Sequence, residues 1–377
     1  MDTVICDKTA LEYWRIPPVV QLLACSPAAD ERLARVLTNH DMEVLTANYV
    51  QAQTDFKQKH CGHAGQTYRD LIENVPLLAL CGNGPFDIMV SRRGEARESR
   101  LMRPRIWSEP LAPGSIRPAT QTLDVTSPEF TLQQIAAHES FAHALLVATE
   151  LCGNFSAYHT PAPIAGIIEQ LCAQDQLPAI NGWEPCLDGE GKLTDLWTRE
   201  PLVTPKDLRL FAQKSDAARG RKKLERVAGY VVPGAASPFE AKAGVLLGLP
   251  RRWGGAGLGG FSHNQRIGLT PDAALIAGRS ACFCDLYWPE GVDLECHSKT
   301  WHSQRDDQLS DFAREAALEL MGIDVVPLTH EQLKSPRQLD AIARLVSAKL
   351  GRKVHPKSDS ERRVEGKLRE RVLGFDW

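Results

Sequence analysis

Two stretches of the chain carry residue types with chemical potential. They are Ala281-Cys-Phe-Cys-Asp-Leu-Tyr287 and Gly291-Val-Asp-Leu-Glu-Cys-His297, separated by Trp288-Pro289-Glu290. They read as the strands of a hairpin. Side chains two apart on a strand share a face. Phe283 and Asp285 then point one way, and Cys282 and Cys284 the other. On the partner strand Asp293, Glu295 and His297 share a face, with Leu294 and Cys296 opposite. One consistent folding buries the cysteines and Leu294 and gathers Asp285, Glu295 and His297 on the other side. Two carboxylates and an imidazole at one point suit a hard divalent cation. Such an ion polarises a phosphoryl oxygen and lowers the pKa of a bound water, as phosphodiester hydrolysis requires. The competing reading leaves Asp293 and Glu295 as the wet face of an edge strand.

The residues after the hairpin favour the first reading. His297-Ser-Lys-Thr-Trp301-His302 adds Lys299 and a second imidazole, His302, within reach of the same point. Asp307, Asp311 and Arg314 then fall at i, i+4 and i+7, on the polar side of a helix aimed toward the hairpin end.

The surrounding elements must hold these groups in place. Ser237-Pro-Phe-Glu240 opens a helix that runs to Leu249-Pro250, with Ser237 at the N-cap and Glu240 at N3 of a capping box. A glycine-rich loop, Gly254 to Gly260, follows, and Ala273–Ala277 reads as a strand before the hairpin. Leu309, Phe312, Ala313, Ala316, Ala317 and Leu320 recur with helical period up to Gly322. Ile323-Asp-Val-Val-Pro-Leu328 is a short buried strand. A last helix begins at Ser335-Pro336, keeps Leu339, Ile342, Ala343, Val346 and Leu350 on one face, and stops at Gly351. Over residues 236–351 the order is α-β-β-β-α-β-α, an α/β sandwich around a small mixed sheet. Residues 352–377 alternate charges and read as a solvated helical tail.

Residues 1–235 read as a mixed, mainly α+β region with a break near 75–125. Thr9–Arg15 and Asp30–Leu37 are short amphipathic helices separated by Pro17-Pro18 and Ser26-Pro27. Pro76-Leu-Leu-Ala-Leu-Cys81 and Phe86-Asp-Ile-Met-Val90 suggest small strands. Thr126-Ser-Pro-Glu129 has the pattern of a capping box and introduces a helix over 128–152. The basic cluster Arg219, Arg221, Lys222, Lys223 and Arg226 reads either as a phosphate-contacting patch or as a solvated helix face. With a formal charge of −3, any basic binding surface must be local. The ten cysteines are scattered, which predicts reduced thiols and not a disulfide framework. No basic leader precedes an apolar core, and no apolar run approaches the ~20 residues that span a bilayer. A cytoplasmic protein with no membrane contact is expected.

Asp285, Glu295 and His297-Ser-Lys-Thr-Trp301-His302 resemble the very-short-patch-repair (Vsr) endonucleases and their relatives in the PD-(D/E)XK superfamily. Phe239-Glu240-Ala-Lys-Ala-Gly-Val-Leu-Leu247 matches the upstream helix that supplies a Glu in those proteins. Asp311, Arg314, Leu318 and Gly322-Ile-Asp-Val-Val326 match their downstream pattern. The resemblance covers about residues 237–351 and implies a restriction-endonuclease-like fold. It implies that Asp285 holds the metal, that His297 and His302 act as bases or proton donors near the phosphate, and that Glu240 positions a water or second ion. Glu240 thus has two readings, cap and catalyst. The strict E-x-K pattern is absent, because Lys299 lies four residues after Glu295. Lys8-Thr-Ala-Leu-Glu-Tyr-Trp-Arg15 and Val125-Thr-Ser-Pro-Glu129 more loosely resemble AbiEi-type proteins of abortive-infection systems, which implies a defence or toxin–antitoxin setting.

Other signals carry less. His138-Glu-Ser-Phe-Ala-His143 has its histidines five apart rather than the four of a zincin helix. His60-Cys-Gly-His63 has no second pair at finger-like spacing. Cys282, Cys284 and Cys296 read as packed thiols rather than a zinc site. Gly254–Gly260 lacks the lysine of a P-loop. The resulting expectation is a Mg²⁺- or Mn²⁺-dependent DNA endonuclease with a recognition or regulatory region at residues 1–235, which could also bind a partner protein. Asp285 and Glu295 would be its metal ligands, and Arg314, Arg219, Arg221, Lys222 and Lys223 its DNA contacts. The alternatives are a catalytically inactive DNA-binding regulator or antitoxin, and an RNA-cleaving toxin.

Overall fold

The computed structural model describes residues 3–60, 65–95, 97–216, 218–297, 305–353 and 355–377, with the backbone alone over 305–311. The chain is a mixed α/β protein with three sheets among these residues. It divides into two compact units. The first comprises residues 1–139, 156–187 and 191–229, and the second 140–155, 188–190 and 230–377.

Five strands form the main sheet of the first unit: β1 (Thr3–Ile5), β2 (Phe86–Val90), β3 (Met102–Ile106), β4 (Ile116–Pro118) and β5 (Leu123–Thr126). Their order is β3-β2-β1-β5-β4, with β1 antiparallel to β2 and parallel to β5. A smaller sheet of β6 (Phe155–Ala157), β7 (Glu184–Leu187) and β8 (Leu193–Thr198) has the order β6-β8-β7. One core joins Ile5, Leu23, Leu33, Leu71, Leu78, Leu123, Ile168 and Trp197. Three sequence expectations are corrected here. The run at 76–81 is a helix, Val75–Leu80, because Pro76 sits in its first turn, where a missing N–H costs nothing. The helix expected over 128–152 is two, Pro128–His138 and Phe141–Leu151, because the Ser140 hydroxyl accepts the His143 N–H and starts a new helix. The cap of the first is Ser127, which accepts the Phe130 N–H, not Thr126 paired with Glu129.

The second unit holds the sheet that carries the acidic residues. Its strands are β9 (Ser262–Gly268), β10 (Ala281–Trp288), β11 (Val292–His297) and β12 (Asp324–Thr329), in the order β12-β11-β10-β9. β11 runs antiparallel to β10 and parallel to β12. The segment expected as a strand at 273–277 is a helix, Pro271–Ala277, capped by Thr270. The strand that completes the sheet is β9, whose Ser-His-Asn-Gln-Arg sequence hides it from a search for apolar runs. The resulting order over 238–349 has two additional α-helices, one between the first two strands and His330–Lys334 after the last strand.

Helix Pro238–Gly248 lies against Phe261 and His263. A Cβ on Gly244 would come within 2.7 Å of His263 Nε2, and one on Gly248 within 2.7 Å of a Phe261 ring carbon. Gly244→Ala is expected to destabilise the unit by about 1–3 kcal/mol through overpacking, read from the urea midpoint. An unchanged midpoint would mean that the helix has room to move. Helix Arg305–Leu320 meets the sheet through Leu318, which packs with Cys282, Cys284 and Ile323. Among its described side chains Ala317 and Leu318 are buried, whereas Phe312 and Leu320 are exposed, so the buried face shares only Ala317 with the described part of the apolar stripe read from the sequence. The tail forms the expected helix, mostly exposed but packed along one side. Helix Asp359–Leu373 buries Leu368 and Val372, and Arg369 donates at 2.9 Å to the Leu333 and Lys334 carbonyls at the end of helix His330–Lys334. No helix among the described residues is long and apolar enough to cross a membrane.

Candidate functional site

The hairpin pairs Leu286 with Leu294, Tyr287 with Asp293 and Trp288 with Val292. Beyond Leu286 the pairing gives way to a side-chain bond: Asp285 Oδ2 accepts the Cys296 N–H at 2.8 Å. The β9 ladder skips the same residue. It pairs Cys284 with Gln265 and Leu286 with His263, and Asn264 between them has a φ of 46°, a left-handed conformation that Asn tolerates better than most residues. Cys284 and Tyr287, three residues apart, pack in the same cluster. Strict alternation forbids that on a regular strand. The face therefore changes at Asp285, and this corrects the expectation that both cysteines sit on the far side from the acids. Cys284 Sγ and carboxylate oxygens of Asp293 and Glu295 all lie within 4.8 Å of one another.

β11 is an inner strand, and Asp293 and Glu295 are 0% and 4% exposed, so the wet-edge reading is also corrected. Glu295 pairs with Arg314 at 2.5 Å, and Arg314 also donates to the Phe283 carbonyl at 2.9 Å. Arg314, expected to contact DNA, is instead a cation committed to the acidic cluster. Glu240 is buried at the start of helix Pro238–Gly248. Its Oε2 accepts the Ala236 N–H at 2.9 Å and the Asn264 amide at 2.6 Å, and its Oε1 accepts the Ser237 hydroxyl at 2.9 Å. The capping role and the place beside the site belong to the same carboxylate.

Burial, and after it the charges of neighbouring carboxylates, favours the protonated forms of Glu240, Asp285 and Asp293. Burial pushes Glu240 up to about 7 against its three hydrogen bonds, with Glu295 adding to the rise. Asp285 is raised by burial and by the charges of Glu295 and Glu240. Asp293 is pushed up to about 10 by burial and by Glu295. Both oxygens of Asp293 and Oε1 of Glu295 are buried, and the hydrogen-bonding neighbours of Asp293 are Glu295 and Cys284. Three buried carboxylates and the half-buried Asp285 around one guanidinium are costly to ionise together without further positive charge.

This arrangement sets a pH dependence. The folded-state values of Glu240 and Asp293 lie above those of the unfolded chain, so their contribution to stability is full below about pH 4. It is lost as pH rises through about 7 for Glu240 and about 10 for Asp293. In chelating buffer the second unit is expected to lose about 1.4 kcal/mol per pH unit for each proton held only by the folded state. Thermal melts between about pH 5 and pH 8 would read this loss. A flat or rising profile would contradict the buried cluster.

Other residues with expected roles are placed as follows. His297 ends β11, two residues beyond Glu295 and paired across to Thr329. Lys299 and His302 lie outside the described residues, as do the side chains of Asp307 and Asp311. The basic cluster belongs to the first unit. Arg219 is held by Glu109 at 2.9 Å and lies 5.2 Å from the centroid of the Trp107 ring, Arg221 pairs with Glu225 at 3.1 Å, and Lys223 donates to the Glu139 carbonyl at 2.6 Å. Those three have internal partners, while Lys222 is exposed. His138 is not a bare surface residue: its Nε2 lies 2.7 Å from Oδ2 of buried Asp7. No disulfide joins the described cysteines.

Sequence reasoning missed Asn264, which orients Glu240, and the proximity of Cys284 to the acids. Neither has a local signal, since both depend on the irregularity at Asp285. No protein-family model matches the chain, and no curated protein or solved structure matches it either.

Proposed function

We infer that the second unit is a divalent-cation-dependent nuclease domain of the PD-(D/E)XK kind and that its substrate is DNA. The proximity of Asp285, Glu295 and Glu240, from two strands and a helix start, carries this reading: burial first, and then the charges of these neighbours, raises Asp285 and Glu240. A central sheet of β9 to β12 with helices Pro238–Gly248 and Arg305–Leu320 packed on it supports a restriction-endonuclease-like sandwich.

Asp285 and Glu295 offer hard oxygen donors that fit Mg²⁺ or Mn²⁺. The bound ion would supply Lewis acidity at the phosphate and lower the pKa of water there. Asp285 is oriented by the Cys296 N–H, and Arg314 fixes Glu295 from the helix side. Glu240, held by Ala236, Ser237 and Asn264, has a proton affinity suited to accepting a proton from water near neutral pH. His297 would protonate the leaving group, with Lys299 and His302 assisting. The first unit would recognise DNA or a partner protein, in a cytoplasmic setting such as phage defence.

A second reading, an inactive DNA-binding regulator or antitoxin, draws on one observation: Glu295 and Glu240 already have internal partners. Supercoiled plasmid incubated with the full chain and Mg²⁺ or Mn²⁺ separates the two. Nicked or linear product supports the nuclease. Intact plasmid that is nevertheless retarded on a gel supports the regulator, and cleavage confined to RNA supports the toxin.

A further inference from the structure

The acidic cluster has a second side that the nuclease reading does not use. Cys284, Asp293 and Glu295 form a set whose ligand atoms lie within 4.8 Å of one another, and the residues are 0%, 0% and 4% exposed. Buried carboxylates almost always hold hydrogen-bond donors. The polar neighbours of buried Asp293 are Glu295 and Cys284, the other two members of the set, and both oxygens of Asp293 and Oε1 of Glu295 take no N–H from the described residues. Two buried carboxylates and a thiol that face one another without an outside donor are costly unless something occupies the space between them.

The geometry points to a thiophilic divalent cation, zinc or a close analogue, seated between Cys284 Sγ and the carboxylates of Asp293 and Glu295. Three arguments converge on it. Zinc bonds of about 2.0–2.3 Å at tetrahedral angles place two ligand atoms roughly 3.3–3.8 Å apart, so the set closes on an ion with side-chain shifts of up to about 1 Å. One sulfur and two oxygens form a borderline-soft donor set, unlike the oxygen-only pair of Asp285 and Glu295. The charges also close: three ionised ligands carry three negative charges, which a divalent ion and the neighbouring Arg314 bring to zero. On binding, the Cys284 S–H bond breaks, the sulfur keeps the electron pair and donates it to the cation, and the proton leaves to solvent, as does the proton of Asp293. The site does not depend on the nuclease reading, although Glu295 belongs to both sets.

Cobalt is the direct probe, because a thiolate ligand gives a near-ultraviolet charge-transfer band that oxygen ligands do not. The full chain, freed of metal by chelation, is expected to show this band on Co²⁺ titration. Cys284→Ala should abolish the band, and Asp293→Asn should weaken Co²⁺ binding by roughly 100-fold or more, since even outer-shell changes cost 10–100-fold. Asp293→Asn keeps size and shape, so it guards against misfolding. Zinc should raise the melting temperature of the wild type and leave that variant unchanged, with matching far-ultraviolet circular dichroism. A saturated sample without the band, or a band that survives Cys284→Ala, overturns the site. In that case Asp293 is simply a protonated acid sharing its proton with Glu295. Plasmid cleavage without a cobalt band leaves the nuclease reading standing alone, and a band without cleavage does the reverse.

Discussion

Asp285→Asn is expected to lower Mn²⁺- or Mg²⁺-dependent plasmid cleavage by about 10³-fold or more while leaving the fold intact. The magnitude follows from removing a direct ligand to an ion that stabilises the transition state by several kcal/mol, at about 1.4 kcal/mol per factor of ten. The fold should survive because Asn still offers an oxygen to the Cys296 N–H, which Asp285 accepts at 2.8 Å. The change also relieves repulsion with Glu295 and Glu240, so the metal-free variant should melt slightly higher than the wild type at pH 8. Cleavage that persists within about tenfold of wild type would remove Asp285 from any metal site. A variant that loses cleavage and also unfolds would show that the carboxylate holds the strands together.

Arg314→Ala carries the largest expected stability effect. The guanidinium is the cation paired with Glu295, and Glu295 is itself 4% exposed. Removing one partner of a buried pair typically costs 3–5 kcal/mol, because the remaining charge stays buried without compensation. Here the orphaned carboxylate would also face Asp285 and Asp293, which sharpens the penalty. The loss should be read from denaturant unfolding at pH 7.5 with chelator present. Two recoveries test the cause. Lowering the pH to about 5 should restore part of the loss as the cluster takes up protons, and adding Glu295→Gln to Arg314→Ala should restore most of it. A single-variant loss under about 1 kcal/mol would mean that the pair behaves as an exposed one.

Much of the second unit is written locally in its residues. Ser237-Pro-Phe-Glu240 announces the start of helix Pro238–Gly248 because a hydroxyl cap and Pro in the first turn act within four residues. The turn at Trp288-Pro289-Glu290, the left-handed Gly322 and Gly351, and the helix from Pro336 are legible for the same reason: caps and turns are short-range. β9 is not legible, since its polar sequence owes its place to pairing with β10. The helix Pro271–Ala277 reads as a strand from sequence because a short apolar run fits either period.

For the site, the sequence by itself determined which residue types stand together on the hairpin and that Asp285, Glu295 and His297 are candidates. It also determined that Glu240 follows a capping serine. Only the tertiary structure decided where these groups point. Alternation along a strand is a backbone rule, and it holds only while the ladder is regular; at Asp285 and Asn264 the ladder is interrupted, and Cys284 turns toward the acids. Burial of Asp293, the pairing of Arg314 with Glu295 across 19 positions, and the contact of Asn264 with Glu240 across 24 all arise between different elements. Long-range packing sets the dielectric and the charge partners of each group, and those govern whether a carboxylate is a solvated surface charge or part of a buried cluster that needs a cation.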